Sequence, residues 1–287
     1  MAKSVKVNFV FNLINTISGL LFPLITFPYA SRVIMSEGIG QVNFYTSIIN
    51  YIALFSCIGI PLYGIREIAR VRDSQVDLSR TTVEILLLNL LLNVIGYFAV
   101  AIICLTVARV QANIPLFLVL SAIIALTTIG CSWFYNGIEE FKYITIRNLI
   151  VKIIAVIYLF YAVKTQDDLL QYGIYTVLGT IGNNIFNFLR LRKHIDLSLF
   201  GLRDLNIGRH FKPAIAIFAF NLVTSIYLNL DKVMLGFIQN DQAVGYYTAA
   251  TNISHILLYA VTSLGAVLLP RLSLIHISEP TRPEPIS

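Results

Sequence analysis

Polar side chains recur at helical spacing inside the apolar runs of this sequence. Asn8, Asn12, Asn15, Gly19 and Thr26 form one series, and Asn89, Asn93 and Gly96 a second. Thr176, Thr180, Asn183 and Asn187, with Asn184 beside them, form a third; Thr248, Asn252, His255, Tyr259 and Thr262 form a fourth. Steps of three and four keep each series on one face of a helix. Amides facing lipid would be unsatisfied and costly, so these faces must turn inward. Inward allows two chemistries. Asn, Ser and Thr hydrogen-bond across packed helices, or they line a hydrated cavity that takes a polar solute. One stripe fits helix packing; four in one small bundle favour the cavity, and Asn221 on a further apolar run belongs to the same face. His255 is either a proton site near neutral pH or a hydrogen-bonded structural histidine. Cys57, Cys104 and Cys131 stand alone in apolar runs, with no CxxC or Cys/His cluster. They read as small buried hydrophobes, and neither a metal nor a cofactor is expected.

The elements that must carry these stripes are membrane spans. The chain is 57% hydrophobic and 13% charged, with mean hydropathy +0.76, whereas soluble domains average about 25% charged. So little charge cannot cover a soluble surface on 287 residues. Eight candidate spans, each near the roughly 20 residues a spanning helix needs, fall at approximately 7–31, 41–63, 83–108, 114–135, 146–163, 169–189, 213–236 and 243–270. The N-terminal run exceeds a signal-peptide core and no cleavage pattern follows, so it reads as the first span. It holds Pro23 and Pro28, which remove internal hydrogen bonds and bend helices.

Basic residues set the orientation. One side receives Lys3, Lys6, Arg66, Arg70, Arg72, Arg80, Lys142, Arg147, Arg190, Arg192, Lys193, Arg203, Arg209 and Lys212. The other receives only Arg32, Arg109, Lys164 and Lys232. This asymmetry predicts a cytoplasmic N-terminus and cytoplasmic loops at 64–82 and 190–212. Lys152 sits a few residues into the fifth span, where it either snorkels to the interface or faces a cavity.

One stretch of the sequence is nearly written twice. RVIMSEGIGQVNFY (Arg32–Tyr45) and DKVMLGFIQNDQAVGYY (Asp231–Tyr247) each close an apolar run, turn, and open another. Ile39-Gly40 stands opposite Val244-Gly245, and Tyr45 and Tyr247 follow as expected interfacial aromatics. Six spans separate the copies, so the repeat is parallel, with two lobes around an axis along the membrane normal. Chance similarity of two apolar hairpins is the alternative. The expected architecture is an all-α polytopic helical bundle of about eight transmembrane helices. It has a six-helix lobe at 1–212 and the first hairpin of a second lobe at 213–271.

The blocks GCSWFYNGIEEFKYITIRN (Gly130–Asn148), LDKVMLGFIQNDQAVGYYTAAT (Leu230–Thr251) and LLPRLS (Leu268–Ser273) carry a resemblance. Over about residues 1–273 the chain resembles the bacterial polysaccharide-biosynthesis transporters, the Wzx-type O-antigen and capsule flippases of the superfamily that includes multidrug exporters. The resemblance implies a multi-pass protein of the bacterial inner membrane. It implies an undecaprenyl-pyrophosphate-linked oligosaccharide as substrate, a polysaccharide polymerase and chain-length regulator as partners besides membrane lipids, no nucleic acid and no catalysis. A pyrophosphate wants fixed cations. Read that way, Arg32 and Lys232, paired by the repeat, and Arg66 and Lys152 on the cytoplasmic side are the candidates. Ordinary interfacial charge is the alternative for the first two. The oligosaccharide would use the stripes, named by Asn12, Asn15, Asn89, Asn93, Asn183, Asn187, Asn221, Asn252 and His255. Trp133 and Tyr135 read as sugar-stacking rings or as belt aromatics. Asp231 is the candidate coupling acid, with an ion pair to Lys232 as the other reading.

Two rivals differ in class. A cation-coupled multidrug exporter is disfavoured because no carboxylate lies between Val7 and Ser31. A membrane glycosyltransferase or polymerase would need catalytic groups on substantial loops; Asp167 and Asp168 sit on a very short one and read as a solvated turn. The segment Leu272–Arg282 looks like a translated sequencing adapter. The expectation is a non-native tail at 272–287 on a truncated transporter.

Overall fold

The computed structural model describes residues 5–254, without the side chains of residues 5–9, Asn12, Leu20, Leu202, Phe220 and Asn221. His255 and the tail at 272–287 therefore lie outside the described residues. Those residues form helices and connecting turns with no strand among them. The helices are α1 (Val5–Val33), α2 (Met35–Cys57), α3 (Ile60–Val71), α4 (Gln75–Thr106), α5 (Ala108–Gln111), α6 (Ile114–Ile129), α7 (Ser132–Gly137), α8 (Phe141–Ala162), α9 (Leu169–Ile181), α10 (Asn184–Leu191) and α11 (Phe211–Ile238). The chain is helical again over 241–254, here α12.

Five stretches are long and apolar enough to cross a membrane: Leu13–Val33, Met35–Val71, Gln75–Thr106, Ile114–Gly137 and Phe141–Ala162. The pair Ile207–Ala219 and Leu222–Ile238, bent by 55°, adds a sixth as a broken span. Leu169–Ile181 is apolar but shorter. The described residues thus make up an all-helical, multi-pass membrane protein. Of the eight expected spans, the sixth is the short α9 followed by α10, and the eighth runs past the described residues.

Several spans are broken where the sequence pattern ran on. Ile58 and Gly59 adopt left-handed backbone with φ 35° and 71°, and the chain turns there from α2 into α3. Cys131 does the same, with φ 41°, between α6 and α7. The two half-helices beyond these breaks pack tightly. A Cβ on Gly64 would come within 2.8 Å of the Trp133 ring, so only glycine lets the indole lie on α3. Trp133 and Tyr135 are fully packed, at 3% and 0% exposure. They are neither belt residues nor free platforms for sugar. Tyr135 instead donates to the Asn187 carbonyl at 2.7 Å.

Contacts fix the directions of the helices. α1 runs parallel to α8: the Thr145 hydroxyl donates to the Phe11 carbonyl at 2.9 Å, and the Tyr29 hydroxyl to the Val163 carbonyl at 2.7 Å. α11 lies antiparallel along the whole of α2. Gly59 abuts the Ala214–Phe218 backbone, Phe55 meets Phe218 at 5.4 Å, and Phe44 meets Phe237 at 5.2 Å. The Asn50 amide reaches Asn229 at 3.4 Å between them.

Candidate functional site

A cavity of about 470 Å³ opens between α1, α8, α9 and α12. Each wall follows from sequence spacing. Gly19, Pro23 and Thr26 come from α1, Lys152 and Ala155 from α8, Tyr172, Thr176 and Thr180 from α9, and Asn252 from α12. Three of the four polar stripes thus supply a wall. The Thr26, Thr176 and Thr180 hydroxyls donate back to carbonyls of the preceding turn, leaving oxygen lone pairs for a solute. Lys152 faces the cavity and does not snorkel away. Its ammonium donates to the Ser18 hydroxyl at 3.2 Å and lies 5.6 Å from the Phe22 ring centre. Among the described residues no carboxylate forms an ion pair with it.

A seam of amides joins α1, α8 and the α9–α10 break about a turn from Lys152. The Asn148 amide donates to the Asn15 side-chain oxygen Oδ1 at 2.9 Å, and the Asn183 amide donates to Asn148 Oδ1 at 2.6 Å. Arg147 donates to Asn148 at 2.8 Å and to Asn187. Asn15, Asn183 and Asn187 are therefore brought together, as interhelical hydrogen bonding within one seam. Asn89 and Asn93 go elsewhere: they are buried on the face of α4 that packs into the bundle, and their side-chain oxygens lack a partner among the described residues.

The proposed cations separate. Arg32 and Arg66 are exposed, and Lys232 is half-buried on α11; none of the three lines the cavity. Asp231 is exposed and accepts from the Tyr247 hydroxyl, not from Lys232. Asp168 holds its own loop: its carboxylate accepts from the backbone of Lys164 at 2.9 Å and of Thr165 at 2.8 Å. These bonds keep its carboxyl below the usual aspartate range.

The two repeated stretches meet. A Cβ on Gly40 would overlap the Asp241 carbonyl, and one on Gly245 would overlap the Ser36 carbonyl, so the turns touch backbone to backbone through both glycines. Arg109, from the short α5, clamps the contact. It pairs with Asp241 at 2.5 Å, donates to the Gly236 carbonyl, and lies 4.8 Å over the Phe44 ring. Tyr45 is fully buried, donating to the Arg109 carbonyl at 2.7 Å.

Sequence reasoning passed over a second buried cluster at the opposite end. Glu84, with no exposure, pairs with Arg209 at 2.5 Å and His210 at 2.7 Å, and accepts from the Asn206 backbone at 2.7 Å. His210 meets the Tyr63 hydroxyl at 2.6 Å. The signal was present: an acid at the start of an apolar run, and an Arg-His pair immediately before another.

Known proteins place these features. The model of the family described as "Polysaccharide biosynthesis protein" matches residues 5–276. A protein of Shigella dysenteriae named "Putative O-antigen transporter" is 26% identical over 256 residues, covering 89% of this chain and 64% of the relative. A protein of the same name in Escherichia coli (strain K12) is 23% identical over 259 residues, covering 89% of this chain and 62% of the relative. The chain thus spans a little under two thirds of the length of these relatives. No solved structure matches it. The family match runs through every described helix, and the chain belongs to the polysaccharide biosynthesis protein family.

Proposed function

We propose that the chain forms the substrate-holding part of a flippase. It would turn undecaprenyl-pyrophosphate-linked oligosaccharide from the cytoplasmic to the periplasmic leaflet of a bacterial inner membrane, for O-antigen or related surface polysaccharide. The observation that carries this reading is Lys152 on the wall of the cavity. A half-buried ammonium with a hydroxyl and an aromatic ring for company is poorly compensated in a bilayer, and an anion beside it offsets the cost. The diphosphate supplies that anion. The hydroxyls of Thr26, Thr176 and Thr180 and the amide of Asn252 supply hydrogen bonds for sugars, while the prenyl tail stays in lipid. No covalent step is needed, so the protein is read as a transporter and not an enzyme. The docked turns at Gly40 and Gly245 lie beyond the Ala30 end of the cavity, and the basic asymmetry makes that end the expected periplasmic one. Alternating access then requires these turns to part.

The test is made by substitution in the chromosomal gene of the bacterium that carries it. Lys152→Arg should retain most of the surface polysaccharide, and Lys152→Ala should lose about tenfold, the value of one charge-assisted contact. Undiminished polymer in Lys152→Ala at equal expression overturns the assignment of Lys152.

A further inference from the structure

A second hollow, of about 410 Å³, lies on the face of α8 away from the Lys152 cavity. Helical geometry separates the two: Tyr143, Arg147 and Ile150 point to one side of α8, and Asn148, Lys152 and Ala155 to the other. Its floor is apolar and exposed. Ile146, Ile150, Phe186 and Leu189 are all exposed, Leu189 at 61%. Its head is cationic, with Arg147, Arg190 and Lys193. Arg147 is the telling member. It is only 7% exposed, its partners are the amides of Asn148 and Asn187, and no carboxylate pairs with it among the described residues. Arg190 pairs with Glu140 at 2.9 Å and stacks 3.9 Å from the Tyr143 ring; Lys193 is exposed. Three cations therefore face one carboxylate above a strip of lipid-facing side chains.

We propose that this groove is a binding site for an anionic phospholipid of the surrounding leaflet. The headgroup phosphate takes the guanidinium groups of Arg147 and Arg190, with Lys193 at the rim. Arginine suits phosphate oxygens because its planar fork donates two parallel hydrogen bonds. One acyl chain lies along Ile146, Ile150, Phe186 and Leu189. Basic pockets between spanning helices recognise lipid headgroups on these grounds. The groove sits at the end of the bundle that carries most of the basic residues, where a bilayer headgroup is within reach. The site does not depend on the transport reading, since the cavity and the groove share no lining residue.

The test uses the full 287-residue chain, purified in micelles containing equal phosphatidylglycerol and phosphatidylcholine, with bound lipid counted by native mass spectrometry. One phosphatidylglycerol should be retained over phosphatidylcholine by about tenfold or more, and each of Arg190→Gln and Lys193→Gln should lower that preference about fivefold. Lys193 is exposed, so its variant keeps the fold. Ile150→Trp should expel the lipid without altering charge. Equal retention of the two lipids, or a preference unmoved by Lys193→Gln and Ile150→Trp, overturns the proposal. So does added undecaprenyl diphosphate that displaces the phospholipid mole for mole, because the groove then belongs to the carrier lipid.

Discussion

At the residue scale, charge is placed where the bundle can satisfy it, and two acids show how differently. Glu84 is fully buried and held by Arg209, His210 and the Asn206 backbone. Removing one member leaves the others unpaired, so Glu84→Ala should destabilise by about 3–5 kcal/mol. A thermal unfolding midpoint in detergent reads the loss, and a midpoint within a degree of the parent contradicts it. Asp168 is solvent-facing, and its loss matters only locally. Its carboxyl is depressed by hydrogen bonds from Lys164 and Thr165, so its contribution is present above the unfolded aspartate value of about 3.9 and fades as pH falls through the lower folded value. Hydrogen exchange at Lys164–Asp168 should therefore be flat, after correction for intrinsic rates, from pH 5 to 8. Protection that falls within that window would show that another group holds the turn. The amides Asn15, Asn183 and Asn187 were legible in the sequence because their spacing is helical. The Glu84 cluster was legible only in its parts: the acid and the Arg-His pair each precede an apolar run, but they lie over a hundred residues apart and no local pattern joins them.

At the element scale, five long spans were legible and the breaks within them were not. Hydropathy finds 20 apolar residues, but it is blind to a left-handed residue such as Ile58 or Cys131 that turns the chain within such a run. The break between α9 and α10 likewise falls inside the expected sixth span, beside the amide seam. The two turns read alike in the sequence. Their contact was not legible, because similarity between two segments does not state that they touch. That contact makes a sharp prediction at Gly40, where any side chain meets the Asp241 carbonyl. Gly40→Ala should raise hydrogen exchange at 36–40 and 241–245 together, whereas Gly208→Ala, with its nearest neighbour at 3.9 Å, should leave both unchanged. Exchange unaltered by Gly40→Ala would mean that the turns do not dock. Arg109→Asp should open the same segments, and Arg109→Asp with Asp241→Arg should close them in part, as expected of a half-buried pair.

At the scale of the whole molecule, a cavity, a pair of docked turns and an expected orientation go together. The orientation rests on the distribution of Lys and Arg. Single cysteines at Ser198 and Arg70 should resist impermeant thiol reagents in intact cells, while one at Lys164 should react; the reverse pattern inverts the bundle. The class of the protein was legible from composition and the repeated motifs. The cavity's own cation was legible as one of two readings of Lys152, and the fold chose between them by laying α1 parallel to α8, which sets Ser18 and Phe22 beside the ammonium. The central claim is translocation of a finished lipid-linked oligosaccharide. The most direct measurement is deletion of the gene in the bacterium that carries it, with analysis of the lipid-linked intermediates that build up. The expected result is a complete oligosaccharide unit on its polyprenyl diphosphate, retained in the cytoplasmic leaflet, and loss of surface polymer. A unit lacking one sugar would instead mark a glycosyltransferase, and complete units gathered in the periplasmic leaflet a polymerase; either result contradicts the account.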